Sequence, residues 1–279
     1  MTKASSARNR RIYDATQVAA HYAALNYLSP CERQLFETYI KPGSAVLDLG
    51  VGGGRTTPYL ASRASRYVGV DYATAMVEAC QAKFPGLEFV VADASDLRAF
   101  LDASFDAVVF AFNGIDYVLP EEFRHACFEH IYRVLKRDGV VVFSSHNARA
   151  VLVPPRWNRD RLRRTAHRLS AGSRFLYGLF LALLTSVRAA LAFVQAAGAT
   201  LPRLIRRVTS RVFWRGVGNL VDPAHGGLLT HYSTPGSTIA ELETMSFQPE
   251  RVLSDEYPQS NSRYSTDWYY YVFVKRQRR

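Results

Sequence analysis

Residues 45–54 read Ala-Val-Leu-Asp-Leu-Gly-Val-Gly-Gly-Gly, an apolar run closing on Asp48 and followed by glycines at alternate positions, Gly50, Gly52 and Gly54. Glycine at such a turn allows positive φ and lets bare backbone approach a ligand, while a following helix offers the unpaired N–H groups of its first turn. A dinucleotide fingerprint requires glycine at the first, third and sixth positions, but the sixth position from Gly50 is Arg55. The turn therefore points to a nucleotide-like cofactor without a pyrophosphate.

Two further apolar runs behave the same way. Tyr67-Val-Gly-Val-Asp71 ends in an acid 21 residues beyond Gly50, close to the spacing at which a Rossmann-type unit sets a carboxylate on ribose hydroxyls. Leu87-Glu-Phe-Val-Val-Ala-Asp93 also closes on an acid, and Asp93-Ala94 suits the exocyclic amine and ring edge of an adenine. One such aspartate would be read as a helix cap or turn acid. Three in succession read as a binding rim.

These residues resemble the class I S-adenosylmethionine (SAM)-dependent methyltransferases. The resemblance covers roughly residues 40–147 and, more loosely, the C-terminal end. It matches the family's first motif to Val46–Gly54, its ribose acid to Asp71 with Tyr72 beside it, its adenine acid to Asp93 with Ala94, and its fourth-strand motif to Phe105–Asn113. It also matches Ile131–Phe143 to the helix, turn and fifth strand that close the family core. Arg137-Asp138 stands where the family commonly has proline and glycine, and Val51 where a cysteine or small residue is frequent; neither touches the cofactor contacts. The resemblance implies SAM as cofactor, S-adenosylhomocysteine as product, and Asp48, Gly50, Gly52, Gly54, Asp71, Tyr72, Asp93, Ala94 and Asn113 as cofactor residues. The segment Ile12–Tyr22 resembles a cap helix over the methionine end of the cofactor, which assigns Tyr13 to the cofactor and Tyr22 to the substrate.

Element alternation supports the same architecture. Apolar strands at 45–49, 67–71, 87–92, 106–112 and 139–145 are separated by stretches of helical spacing, so they predict a parallel, doubly wound α/β sheet with ligands outside the strand carboxyl ends. Trp268–Lys275 predicts a strand and Ser237–Phe247 a helix; in the resembled family these complete a seven-stranded Rossmann-like sheet with an antiparallel terminal strand. The expected organisation is N-terminal cap helices over 1–40, a SAM-binding core over 41–148, a mainly helical insertion between strands five and six over 149–228, and closing elements over 229–279. Cys31, Cys80 and Cys127 are far apart and outside metal-ligand spacing, which argues against disulfides and against a metal site. The basic start lacks the apolar stretch of a secretory signal, so a cytoplasmic location, peripheral to the inner membrane face in one reading, is the expectation.

The net charge of +11 is concentrated in the insertion. Between Arg149 and Arg215 there are 14 arginines, no lysine and one acid, Asp160. Arg156–Arg168 is arginine-rich and contains Trp157, Phe175–Gly198 is apolar, and Leu201–Arg215 predicts a basic amphipathic helix. The apolar run from Phe175 to Val187 is short for a bilayer and Arg188 would sit at its centre, so a monotopic or buried helix is expected. Two readings stay open: a helix covering the core mouth among solvated arginines, or a lid that docks a lipid-linked or phosphorylated acceptor at an anionic membrane surface. Nucleic acid ranks below both, because a long apolar run is wrong for a phosphate-backbone groove.

A sulfonium donor needs its acceptor aligned, and a hydroxyl or amine acceptor must also lose a proton. His146, directly after the fifth strand, is the candidate base, with Asn113 beside it; Asp116, Tyr117, His231 and Tyr232 are candidate acceptor-side residues. The leading expectation is methyl transfer to an O or N nucleophile of a small-molecule, glycan or lipid-linked acceptor. The alternatives are a non-catalytic, membrane-associated SAM-binding scaffold, an RNA methyltransferase, or an aminopropyl transferase, against which Asn113 argues.

Overall fold

The computed structural model describes residues 22–153, 159–170, 172–222, 228–259 and 262–276. Its first half alternates strand and helix. Helix α1 (Pro30–Tyr39) opens with a capping box: Ser29 Oγ accepts from the Glu32 backbone, Glu32 accepts from the Ser29 backbone, and Pro30 starts the helix. Then follow β1 (Ala45–Leu49), α2 (Thr57–Arg63), β2 (Arg66–Asp71), α3 (Thr74–Lys83), β3 (Glu88–Val91), β4 (Phe105–Phe110), a short 3-10 turn (Gly114–Tyr117), α4 (Glu121–Val134) and β5 (Leu135–His146).

The insertion follows, with α5 (Arg159–Leu169), α6 (Arg174–Val208), α7 (Arg211–Arg215) and a hairpin of β6 (Val217–Asp222) and β7 (Leu228–Ser233). Helix α8 (Pro235–Thr244), β8 (Phe247–Ser254) and β9 (Trp268–Lys275) return to the main sheet. That sheet has seven strands in the order β3-β2-β1-β4-β5-β9-β8. β1 to β5 are mutually parallel, and β9 runs antiparallel to both β5 and β8.

Period-two alternation sends neighbouring residues into two cores. Leu47, Val108, Phe143 and Phe273 face Phe128 and Ile131 of α4 and Leu242 of α8, whereas Val46, Val109, Val142 and Val272 face Leu35 and Phe36 of α1 and Leu60 of α2. Burying each of these side chains contributes about 1.5–3 kcal/mol. Cys31, Cys80 and Cys127 are buried free thiols within or beside these cores.

The fifth strand begins earlier than its sequence suggests. It runs from Leu135 and shifts register against β4 between Phe105 and Ala107. Asp138 takes a φ of 61° at this irregularity, and Gly139 follows with so little room that a Cβ would lie 2.9 Å from the Lys136 carbonyl. Asp138 thus takes the left-handed backbone for which glycine is the default, and its carboxylate pairs with Arg276.

The insertion departs from expectation in three ways. Its apolar and basic segments form one 35-residue helix, α6, that runs through Pro202 and ends at Val208. A separate helix restarts at Arg211, capped by Ser210, so Leu201–Arg215 is not one amphipathic helix. The closing part is a β-hairpin, fastened to the core by a bridge from Ser233 to Asn147. Nor does α6 bury its apolar side over the core mouth. It passes by length and composition alone as a membrane span, but only 6% of its most apolar window is buried.

Candidate active site

A cleft of about 1380 Å³, counted out to its open mouth, lies along the carboxyl ends of β1 to β5. Its floor is the glycine turn after β1. Gly50 has a φ of 60° and a Cβ there would lie 2.6 Å from the Phe110 ring, so both backbone and packing require glycine. Gly52, with a φ of 54°, faces nearly open space, its nearest neighbour Tyr22 at 3.9 Å from a built Cβ. This is the bare backbone that a ligand can approach. Gly54 is different: its side is closed by the Phe84 ring and Cys80, and it does not line the cleft. Its Cβ side packs the turn on Phe84 and Cys80 of the neighbouring helix end.

The acids stand along the rim. Asp71 accepts from the Gly52 backbone at 2.9 Å through one oxygen and from the Ala73 backbone at 2.9 Å through the other. These bonds lock the carboxylate against the turn. Asp93 closes an Asx turn, accepting from both the backbone and the hydroxyl of Ser95 through Oδ1, yet it lines the cleft together with Ala94 and Tyr72. Asp48 is almost wholly buried beneath the turn. Thr56 and Tyr67 donate to its Oδ2 at 2.7 and 2.9 Å, but burial outweighs them and raises its pKa from 3.8 to about 6.

On the far side of the cleft, β4 and β5 carry the groups that could act on an acceptor. Phe112 and Asn113 follow β4 with φ of 56° and 62°, both in the left-handed region. Asparagine tolerates that region; phenylalanine is strained in it. The Asn113 backbone is held by Ser144 Oγ at 2.7 Å, and its Oδ1 is buried without a partner. Its Nδ2 lies 3.3 Å from His146 Nε2. Asp116, on the turn after β4, has no solvent exposure and collects three donors: Ser145 Oγ at 2.6 Å, the His146 backbone at 2.7 Å and His146 Nδ1 at 2.7 Å. An acceptor carboxylate on Nδ1 fixes the tautomer with its proton on Nδ1, leaving Nε2 with a lone pair.

Asp116 therefore sits behind His146 and does not line the cleft, which corrects its expected place against the substrate. Tyr117 does line it, its ring edge-on to His146 at 6.3 Å. Tyr232 does not, but its ring tilts against His146 at 5.2 Å. His231 points elsewhere, with Nδ1 on Asn219 at 3.1 Å and Nε2 buried without a partner; burial, aided by the Arg124 charge, lowers its pKa to about 3. Tyr22 lines the cleft, and Tyr13 lies outside the described residues.

One part of the site escaped the sequence reading. Arg55, at the position that broke the dinucleotide pattern, lines the cleft between the rings of Tyr27 and Phe112, at 5.3 and 5.0 Å. Glu32 holds it through two hydrogen bonds of 2.7 and 2.5 Å and also accepts from Tyr270 at 2.8 Å. The Ser29–Glu32 capping box marked the acid, but nothing local tied it to an arginine 23 residues on.

Residues 46–139 match a family model described as a methyltransferase domain. This match, over about a third of the chain, and the seven-stranded fold support a class I SAM-dependent methyltransferase. Among similar proteins, a Geobacillus protein named as a methyltransferase is 30% identical over 48% of this chain and 55% of its own length. A demethylmenaquinone methyltransferase of Clavibacter sepedonicus is 36% identical over 36% of this chain and 40% of its own. The chain thus spans about half the length, or less, of these relatives. Among solved structures, a SAM-dependent methyltransferase from Mesorhizobium loti superposes with a TM-score of 0.56 at 16% identity, covering 87% of this chain and 96% of that one. A 1,6-didemethyltoxoflavin-N1-methyltransferase from Burkholderia thailandensis superposes with a TM-score of 0.51 at 15% identity, covering 89% and 77%. At these identities the likeness is one of fold.

Proposed function

We propose that this chain transfers the methyl group of SAM to an O or N nucleophile of a small-molecule acceptor, with His146 as the base that takes the acceptor's proton. The observation that carries the reading is that one cleft is lined both by the carboxylates of Asp71 and Asp93 and by His146, which Asp116 orients. Asp71 is placed to accept ribose hydroxyls, Asp93 and Ala94 would border an adenine, and the exposed backbone of Gly52 lets the donor approach. Arg55, held by Glu32, offers a cation to a carboxylate at the inner end of the cleft. Bound there, SAM supplies an electrophilic methyl group.

The protein's own work is alignment and proton transfer. The proton of an acceptor O–H or N–H passes to His146 Nε2, while Asp116 keeps the Nδ1 proton in place and stabilises the charged ring. The 3.3 Å contact from Asn113 to Nε2 is long enough for an acceptor to replace it. Phe112 and Trp268, in edge contact at 6.1 Å, wall the cleft against water.

A small-molecule acceptor is supported by the relatives named as demethylmenaquinone methyltransferases and by the neighbour that holds 1,6-didemethyltoxoflavin and S-adenosylhomocysteine. The test is calorimetric titration with SAM, followed by measurement of S-adenosylhomocysteine release with a panel of small hydroxylated and amine acceptors. A folded sample that does not bind SAM would end the reading; binding without release from any acceptor class would leave a SAM-binding scaffold.

A further inference from the structure

Helix α6 leaves a wide apolar face uncovered. Phe175, Leu179, Leu183, Leu191, Phe193 and Val194 are all exposed, from 49% to 79%. At 3.6 residues per turn these six fall within an arc of about 160°. Its buried alanines, Ala192 and Ala196, lie on the opposite side. The helix thus meets the protein through small residues and turns its large ones outward. At a rise of 1.5 Å per residue Phe175 to Val194 spans about 28 Å, a contiguous apolar surface of the kind that marks an interaction site.

The surrounding charge says what covers it. The segment from Arg149 to Arg215 holds 14 arginines against a single acid. Arg163, Arg164, Arg168 and Arg174 are exposed around the start of α6, and Arg211 and Arg215 are exposed just beyond its end, with Trp214 between them at 71% exposure. Apolar surface bounded by arginines, with an aromatic at the edge, matches the boundary between acyl chains and anionic headgroups.

We propose that the outer face of α6 lies in the plane of an anionic lipid bilayer, its apolar side chains in the acyl boundary and the flanking arginines on lipid phosphates. A spanning orientation fits poorly. Arg188 would fall near the hydrocarbon centre, and α5, which packs along α6, would carry its arginines in with it. The C-terminal end is also fastened to the core, because Arg203 pairs with Asp267 at 2.8 Å and Arg207 lies 3.8 Å above the Tyr232 ring. This docking does not depend on what the cleft methylates.

The experiment is co-sedimentation of the full chain with vesicles of phosphatidylcholine alone or with about a third phosphatidylglycerol, over a salt series. Binding is expected only to the anionic vesicles, weakening as salt screens the arginines. The triple variant Leu179→Ser, Leu183→Ser, Leu191→Ser, whose sites are exposed, should fold as judged by circular dichroism, bind SAM as the unaltered chain does, and lose about tenfold or more in vesicle affinity. Arg174→Ala with Arg211→Ala and Arg215→Ala should flatten the salt dependence. Absence of binding by the folded unaltered chain, or equal binding by the serine variant, would overturn the proposal. So would a dimer that the serine variant dissociates without any vesicle binding, or vesicle association that resists carbonate extraction, the behaviour of a spanning helix. Failure to bind SAM with vesicle binding intact would count against the proposed methyl transfer and not against docking.

Discussion

Asp116 Oδ2 accepts from both the ring and the backbone of His146, each at 2.7 Å, and the acid has no exposure to solvent. The pair is therefore a fixed unit with its remaining ring nitrogen facing the cleft. His146→Gln is expected to lower kcat by roughly a hundredfold or more, the usual weight of a general base, while the SAM dissociation constant stays within about twofold. Asp116→Asn should lower kcat in the same sense and alter its pH profile, because the orienting acceptor is gone. Rates of S-adenosylhomocysteine release read the first quantity and calorimetry the second. Unchanged turnover in His146→Gln would remove the base from the mechanism.

Asp71 and Asp93 are expected to act on affinity instead. Hydrogen bonds to a charged partner are worth about 1.5–3 kcal/mol, so Asp71→Asn should weaken SAM binding by roughly ten- to a hundredfold, with Asp93→Ala at the lower end. Asparagine retains one acceptor oxygen for the Gly52 or Ala73 backbone, so a thermal melt should show a smaller change than calorimetry does. A larger loss of stability than of affinity would make Asp71 a strut of the turn alone.

Asp48 predicts a pH dependence. Burial raises its pKa from 3.8 to about 6, so between those values the folded chain holds a proton that the unfolded chain has released. Its contribution to stability is therefore greatest below 3.8, declines as pH rises, and is lost above about 6. A cationic donor bound nearby favours the charged carboxylate, which reverses the sign for binding: SAM affinity should climb with pH up to about 6 and then level off. Asp48→Asn should abolish that slope in calorimetry run across the range.

The Glu32–Arg55 pair predicts a stability effect. Both groups are buried, at 1% and 8% exposure. Removing one partner of such a pair leaves an uncompensated charge and typically costs about 3–5 kcal/mol, so Glu32→Ala should lower the urea midpoint markedly. The Tyr270 hydroxyl loses its acceptor in the same step. A cost below about 1 kcal/mol would mean that Arg55 swings to solvent.

The core was legible because its signals are local and repeated. Asp48, Asp71 and Asp93 each end or follow an apolar strand, and the structure brings them to one cleft. What stayed hidden depends on distant parts of the chain. Nothing near Glu32 announces Arg55 or Tyr270. Asp116 reads as an acceptor-side residue until β5 places His146 over it. Gly54 repeats the spacing of its neighbours but turns toward Phe84, because a run of glycines does not say which ones face a ligand. Gly198 and Pro202 look like stops, yet α6 continues through both, since the residues between them are strong helix formers or tolerated on an exposed turn. The β6–β7 hairpin sits in a segment whose apolar residues, Val217, Leu220, Val221, Leu228 and Leu229, show no strict alternation.

His146 closes β5, a strand hydrogen-bonded to β4 on one side and β9 on the other. The proposed base is thereby mounted on a strand paired along both edges, whereas α6 and the β6–β7 hairpin follow it in the chain. Rebuilding residues 149–228 would then leave every described residue that lines the cleft unaltered, because none of them falls in that segment.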